Sequence, residues 1–440
     1  MNQKERMQLA RWAVERARKS GADEVAVDVT FSRDVEVKYR NETLEELKES
    51  TQSSLSLEVY VDHRYSGHST NNLRREEVGR FIDEAVAMTR YLSEDPHRTL
   101  PDPRYYKGVR DVDLELVDAK HDAIESHDRV ALCRTIAEVG RARSDKVISC
   151  SGEYGDTYSE SVKVQSNGFE GERRETVYYA GADTTIDDGA GGRPEDWYYG
   201  VTRTRAALPG PELLGQAAVD RALRKIGQKK IESGAYDMLV ENRTSRRLLG
   251  ALRWPLTARA LQQRQSFLEG KLGERIASEK LTVVDDPFVP RGLGSRLFDG
   301  EGLAAKRRVI IDQGVLQAYY IDNYYGRKLG LEPTGGSASN ILLAEGQRSL
   351  DEMVAGMKRG ILVTGFLGGN SNDTTGDFSF GIVGMLVEDG QAVQPVNEMN
   401  ISGNLGELLG QLVEVGGDPF PYSSWRLPSL LFEGVQFSGL

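Results

Sequence analysis

The spacing of apolar residues switches from a helical period to an alternating one and back within roughly ninety residues of the start. That switch constrains the fold more than any other feature. Met7, Ala10, Val14 and Ala17 recur as on one helix face, and Ser20-Gly21 ends the pattern. Val25, Val27, Val29 and Phe31 then alternate, as do Val35, Val37 and Tyr39, and later Leu55, Leu57, Val59 and Val61. Helical spacing returns over residues 75–92 through Val78, Ile82 and Val86. This predicts an N-terminal α/β subdomain over residues 1–95, closed by the prolines Pro96, Pro101 and Pro103.

A central α+β region is expected over 96–230. It has a helix over 118–143, strands at 146–153, 158–166, 173–181 and 197–204, and a helix opened by Pro211. Ser166-Asn167-Gly168 reads as a hairpin turn in this strand meander. From 231 to 440 the chain reads as predominantly antiparallel β with peripheral helices at 243–263 (broken at Pro255), 349–359 and 404–414. Asp312-Gln313-Gly314 and Asp389-Gly390 mark two more hairpins. The fold class is therefore α+β. No repeat at a fixed period is evident.

Composition excludes several functions. The net charge of -11 argues against a broad basic nucleic-acid surface. No run of about twenty apolar residues predicts a spanning helix, and the first residues lack the apolar core of a signal peptide. Cys133 and Cys150 are too few for a disulfide framework, so a cytoplasmic location is expected.

Histidine is more telling still. His63, His68, His97, His121 and His127 are the five, and none lies in the last 313 residues (440 − 127). HExxH is absent, the histidine spacings do not converge, and these side chains are expected as polar surface groups rather than zinc ligands. No catalytic and no metal-ligating residue is assigned in this chain.

The segment GFLGGNSNDTTGDFSFGIVG, residues 365–384, tests the remaining chemistries. It has neither GxGxxG nor a GKS/GKT phosphate cradle, and Phe378, Phe380 and Ile382 alternate as in a strand. Ser371 lacks a GxSxG context and a nearby histidine, so a hydrolase built on Ser371 or Asp377 is the weakest alternative. Asp285-Asp286 is expected as a strand end with turn-forming aspartates. Tyr319, Tyr320, Tyr324 and Tyr325 are expected in core or interface.

Several fragments in order carry a resemblance. They are GADEV (21–25), YSGHST (65–70), FLEGKLGERIASEKLTVVDDP (267–287), DNYYGRKLGLEPTG (322–335), TTGDFSFG (374–381) and PVNEMNISGNL (395–405). Together they resemble the TldD/TldE family, also called PmbA or modulator-of-gyrase proteins, over nearly the whole chain. The resemblance implies a β-rich C-terminal domain and a heterodimeric or homodimeric zinc metallopeptidase acting on unfolded or small peptides. Its metal-bearing subunit carries HExxxH on the helix after the strand near residue 240, and a cysteine near the C-terminus.

Counted back from Gly273, that motif falls on Leu249, Gly250, Ala251, Leu252, Arg253 and Trp254, which supply neither ligand nor base. The resemblance therefore implies the TldE/PmbA branch. Such a chain would be a non-catalytic subunit that binds no cofactor, completes the substrate channel and leaves the zinc on a TldD-like partner. Gly368, Gly369, Asn370, Thr375, Gly376, Asp377 and Tyr324 are the candidate channel residues. The alternative is a stand-alone homodimeric peptide-binding or scaffold protein without peptidase activity. Neither nucleic acid nor membrane is expected as a partner.

Overall fold

The structure is a computed structural model that describes all 440 residues. The first half contains α1 (Gln3–Lys19), β1 (Glu24–Arg40), β2 (Thr43–Val61), β3 (Arg64–Thr70) and α2 (Arg75–Thr89). These are followed by α3 (Ser126–Ala142), β4 (Val147–Gln165), β5 (Glu170–Ile186), β6 (Glu195–Thr202) and α4 (Pro211–Leu223). The six strands form one antiparallel sheet in the order β3-β2-β1-β4-β5-β6.

The same succession, helix, three strands, helix, thus occurs twice. The α1 and α3 helices each span 17 residues, and the starts of α1 and α3, and of β1 and β4, differ by the same 123 (126 − 3, 147 − 24). Asp34 lies opposite Thr157, its own counterpart under that shift (34 + 123), so an approximate two-fold axis passes through this pair. Thr157 Oγ1 donates to Asp34 Oδ1 at 2.8 Å across it.

The duplication corrects the expectation of no repeat. Alternate burial demands only small or apolar residues at every second position. Where β1 buries Val27 and Val29, β4 buries Cys150 and Gly152, and buried Val25 is matched by exposed Ile148, so the sequence likeness is gone.

All four helices cover one face. Val27, Val29, Leu55, Leu57 and Val162 pack against α1 and α2 through Ala10, Ala13, Val78 and Ile82. Further along the same long strands Val35, Val37, Tyr154 and Tyr178 pack against Ile136 of α3 and Leu214 of α4. Each such fully buried aliphatic side chain contributes about 1.5–3 kcal/mol. The two strands expected at 25–31 and 35–39 are one. Odd-numbered positions keep to the same face through Ser32-Arg33-Asp34, and β4 likewise joins two expected strands.

The second half contains β7 (Gly234–Val240), α5 (Asn242–Leu249), α6 (Ala258–Gln262), β8 (Val283–Asp285), β9 (Arg308–Asp312), β10 (Val315–Leu316), α7 (Asn323–Leu329), β11 (Ile341–Leu343) and α8 (Leu350–Gly356). It continues with β12 (Arg359–Ser371), β13 (Asp377–Glu388), β14 (Gln391–Asn404), α9 (Leu405–Gly410), β15 (Leu412–Val415), β16 (Trp425–Arg426) and β17 (Leu430–Ser438). One sheet runs β14-β13-β12-β7-β17-β15, and a further β14–β17 pairing curls it towards a barrel. A smaller sheet runs β10-β9-β8-β11-β16. One core, including Met238, Leu248, Ile310, Ile361, Phe380 and Phe432, joins the two sheets.

The α+β class and the β-rich second half are as the sequence predicts. The α7 helix and the strands β11, β15, β16 and β17 were not anticipated. The α7 helix is capped by Asp322, whose carboxylate accepts from Tyr325 N at 2.8 Å. The alternation of β17 is interrupted by a bulge between Phe432 and Val435.

The halves are fastened at several points. Arg203 donates to Leu293 O at 2.7 Å, Gln165 to Glu301 O at 2.9 Å, and Phe169 stacks edge-on against Phe298. No helix is long and apolar enough to cross a membrane.

Candidate functional site

The β7 strand ends at Val240 and the chain turns at once into α5. Glu241 N donates to Val363 O at 3.0 Å, which extends the parallel β7–β12 pairing by one bond. The Glu241 carboxylate receives both terminal nitrogens of Arg221, from α4, at 2.7 and 3.0 Å. Ser245 Oγ donates to Pro428 O at 2.9 Å, and Leu248, Leu249 and Leu252 enter the core. With that face buried, Arg246, Arg247 and Arg253 are left exposed on the outside.

Beside this segment lies a cavity of about 640 Å³. Leu249, Leu252, Ile310 and Ile341 form its apolar floor, and Trp254 and Trp425 its sides. The three arginines stand around it, with Asp373 the sole carboxylate. Burial pushes the Asp373 carboxyl up from its ordinary value. A second hollow, of about 410 Å³, lies on the other side of α5 and shares Arg246 and Arg247. Its wall is the β12 segment 364–367, together with Trp197, Tyr199 and Arg243.

The β12 strand pairs with β7 only over 360–363. Beyond that point no strand covers its α5-facing edge. Thr364 O is satisfied by Arg221 Nη2 at 3.2 Å and Thr244 Oγ1 at 3.1 Å. The two hollows thus form a groove along an open strand edge.

The glycine-rich segment 365–384 forms the end of the β12–β13 hairpin. Gly369 has φ +75°, and a Cβ there would lie 2.0 Å from Ser379 O, so the position requires glycine. Arg247 Nη2 donates to Gly369 O at 2.7 Å and to Gly368 O at 3.3 Å, with its guanidinium 4.7 Å from the Phe380 ring centre. Asn370 faces Ser379 across the hairpin.

In the turn, Gly376 N donates to Asn372 O at 2.7 Å. The Asp377 carboxylate accepts from Thr375 Oγ1 at 2.7 Å and Asn404 Nδ2 at 3.1 Å, bonds that hold it below its ordinary value. Ser371 and Asp373 of this turn line the cavity, whereas Thr375, Gly376 and Asp377 lie outside that lining, with Thr375 and Asp377 tied to Asn404. Tyr324 lies elsewhere, at the junction of the two halves. Its hydroxyl donates to Asp95 at 2.6 Å and its ring lies 3.5 Å from the Arg98 guanidinium carbon. The structure therefore ties Gly368 and Gly369 to the groove through Arg247, which lines it, and leaves Tyr324 apart.

Leu249, Gly250 and Trp254, where the HExxxH alignment falls, all line the cavity. Its lining contains no imidazole and no thiolate, and one carboxylate is a donor set that does not fit zinc. No cluster of three histidine, cysteine or carboxylate side chains suited to a metal occurs anywhere.

The expectation of surface histidines fails for His121. It is buried, with Nε2 2.9 Å from Asp156 Oδ1, and Arg129 Nε donates to the same carboxylate at 2.6 Å. Asp285 is not a plain turn residue either. It is buried, paired with Arg308 at 2.9 Å, and accepts from Ser339 N at 2.8 Å, while Asp286 keeps the turn role by accepting from Phe288 N. Tyr319 and Tyr320 are core, as expected.

The arginines and tryptophans of the cavity were not singled out from sequence. Their only signal was Arg246 and Arg253 seven apart (253 − 246), two helical turns, which also describes an ordinary solvated face.

Three consecutive family models match the chain. They are PmbA/TldA metallopeptidase domain 1 over residues 25–89, the central domain over 119–226 and the C-terminal domain over 233–439. The chain is 28% identical over 425 residues to the metalloprotease PmbA of Escherichia coli O157:H7, covering 96% of this chain and 93% of that one. The crystal structure of a candidate modulator of DNA gyrase from Bacteroides thetaiotaomicron superposes with a TM-score of 0.97 at 43% identity, covering 100% of both chains. TldE from Thermococcus kodakarensis shares the fold, with a TM-score of 0.85 at 23% identity over 98% of this chain and 100% of that one. With all three domains matched in order and a full-length relative this similar, the chain belongs to the PmbA/TldD metallopeptidase family.

Proposed function

We propose that this chain is the TldE/PmbA-like, non-catalytic subunit of a heterodimeric zinc metallopeptidase that degrades or matures unfolded or small peptides. The observation that carries this reading is the composition of the cavity beside α5. At the place of the family's metal-binding helix it presents Leu249, Gly250 and Trp254. Such a wall neither ligates a cation nor takes a proton from water.

The groove supplies what a substrate-holding subunit needs. The β12 edge at 365–367 offers backbone groups to an extended peptide, and strand addition of this kind gives affinity with little sequence preference. Leu367, 52% exposed, and the rings of Trp197 and Tyr199 offer apolar contacts along that edge. In the paired complex the hydrolytic step would belong to the partner subunit, which would hold the zinc that supplies water activation. Two buried free cysteines agree with a reducing, cytoplasmic compartment.

Mixing the purified chain with a TldD-like subunit should give a stable complex that cleaves an unfolded peptide in a zinc-dependent manner. Failure to associate, with full cleavage by the TldD-like subunit alone, overturns the assignment.

A further inference from the structure

We infer that the cavity beside α5 recognises a peptide carboxylate that lies next to a bulky apolar side chain. The inference rests on the peptide-binding role proposed above and names the chemistry that role selects.

The charge distribution points to it first. The chain as a whole carries -11, yet the cavity gathers Arg246, Arg247 and Arg253 around a single opposing group, Asp373. Several exposed arginines elsewhere are neutralised in forked pairs. Arg11 holds Glu170 at 2.8 and 2.6 Å, and Arg143 holds Asp220 at 2.7 and 3.1 Å. Arg246 and Arg253 have no hydrogen-bond acceptor, no ion pair and no ring beneath them, and only Arg247 is engaged, by Gly368 O and Gly369 O. Unpaired guanidiniums crowded around one hollow repel one another. A bound carboxylate relieves that repulsion and accepts forked hydrogen bonds.

The floor adds a second requirement. Leu249, Leu252, Ile310 and Ile341 between Trp254 and Trp425 make an apolar chamber, and its volume suits a large side chain. A small inorganic anion leaves that floor uncovered, and a wholly apolar segment leaves the guanidiniums unanswered. A carboxylate beside an aromatic or large aliphatic residue satisfies both. The open β12 edge leads past Arg246 and Arg247 into this chamber, so one extended peptide reaches both features.

Short peptides bearing an uncharged dye test this by fluorescence anisotropy with the purified chain alone. One set carries Trp-Glu or Trp-Gln internally with an amidated C-terminus. The other ends in Trp as the free acid or as the amide. The inference expects a carboxylate to tighten binding about fivefold or more at low salt, with the advantage collapsing in about 0.5 M salt. The internal and terminal sets show which carboxylate is read.

The double variant Arg246→Gln/Arg253→Gln should lose the preference, so that charged and neutral peptides bind it alike. Neither side chain has a partner in the fold, and an unchanged thermal transition verifies that the variant is intact. Equal binding of charged and neutral peptides overturns carboxylate recognition and leaves the peptide-binding role standing. Absence of binding by every peptide overturns both.

Discussion

Replacing Arg221 by methionine should loosen the groove from its α4 side, where Arg221 lines the second hollow. Arg221 projects from α4 in the first half. It reaches Glu241 at the start of α5, Asp196 on β6 and the carbonyl of Thr364 on the β12 edge. Its side chain is 11% exposed, as is that of Glu241. Methionine keeps much of the aliphatic volume and removes the charge. Asp196 retains Lys225 at 3.0 Å, so Glu241 is the group left uncompensated.

Breaking a buried pair from one side costs about 3–5 kcal/mol, and the surviving Lys225 contact places this case near the lower figure. With a urea dependence of about 3 kcal/mol/M, a loss of about 3 kcal/mol moves the midpoint by about 1 M. Trp254 and Trp425 report the second half and Trp12 the first, so fluorescence of single-tryptophan variants resolves where the loss falls. It should fall mainly on the second half.

Adding Glu241→Gln to the variant should recover most of it, giving a coupling of about 2 kcal/mol. Burial alone would push the Asp196 carboxyl up, yet Arg221 and Lys225 hold it below its ordinary value. The stability this contributes is present above the unfolded carboxyl's pKa and is lost as pH falls through the folded value. The difference between variant and parent should therefore shrink in acid. A loss below about 1 kcal/mol, or additive single and double variants, refutes the clamp.

Other perturbations give sharper local outcomes. Gly369→Val should open the end of the β12–β13 hairpin, seen as faster amide exchange over 366–380, because its Cβ collides with Ser379 O. Gly368→Ala meets no neighbour and should cost only about 1 kcal/mol for its left-handed backbone. Asp156→Asn should flatten the pH dependence of thermal stability at both ends. Burial opposes the Asp156 charge, but His121 and Arg129 hold its carboxyl down at about 2, and that stabilisation fades as pH falls below 3.8. The Asp156 hydrogen bond raises His121, whose contribution is full below 6.5 and fades as pH rises through the raised value. Cys133 and Cys150, pushed by burial to about 12 and about 11, should resist a thiol reagent in the folded chain and react at once in denaturant.

What was legible in the chain followed from local periodicity. The α1, α2 and α4 helices and the apolar faces of β1 and β2 show it directly, because each buries one face against a single partner layer. The two-fold duplication was hidden because buried Val27 and Val29 are matched by buried Cys150 and Gly152, which share no side-chain likeness, and buried Val25 by exposed Ile148. The α7 helix depends on one cap, and β17 on partners far away in sequence.

The site was half visible. The glycines and phenylalanines of residues 365–384 announced a turn and a strand. Nothing local tied that hairpin to Arg247, 121 and 122 residues from Gly368 and Gly369 in the hydrogen bonds they share. Charged residues on a helix ordinarily mean solvent. Only the fold shows that Arg246, Arg247 and Arg253 surround an apolar chamber.

The metal content of the two separated subunits tests the central claim most directly. After reconstitution with zinc, removal of excess metal and separation from a TldD-like partner, zinc should stay with the partner. This chain should hold only trace amounts and cleave nothing by itself. Stoichiometric zinc on this chain, with peptide cleavage abolished by a chelator in the absence of any partner, would contradict the account.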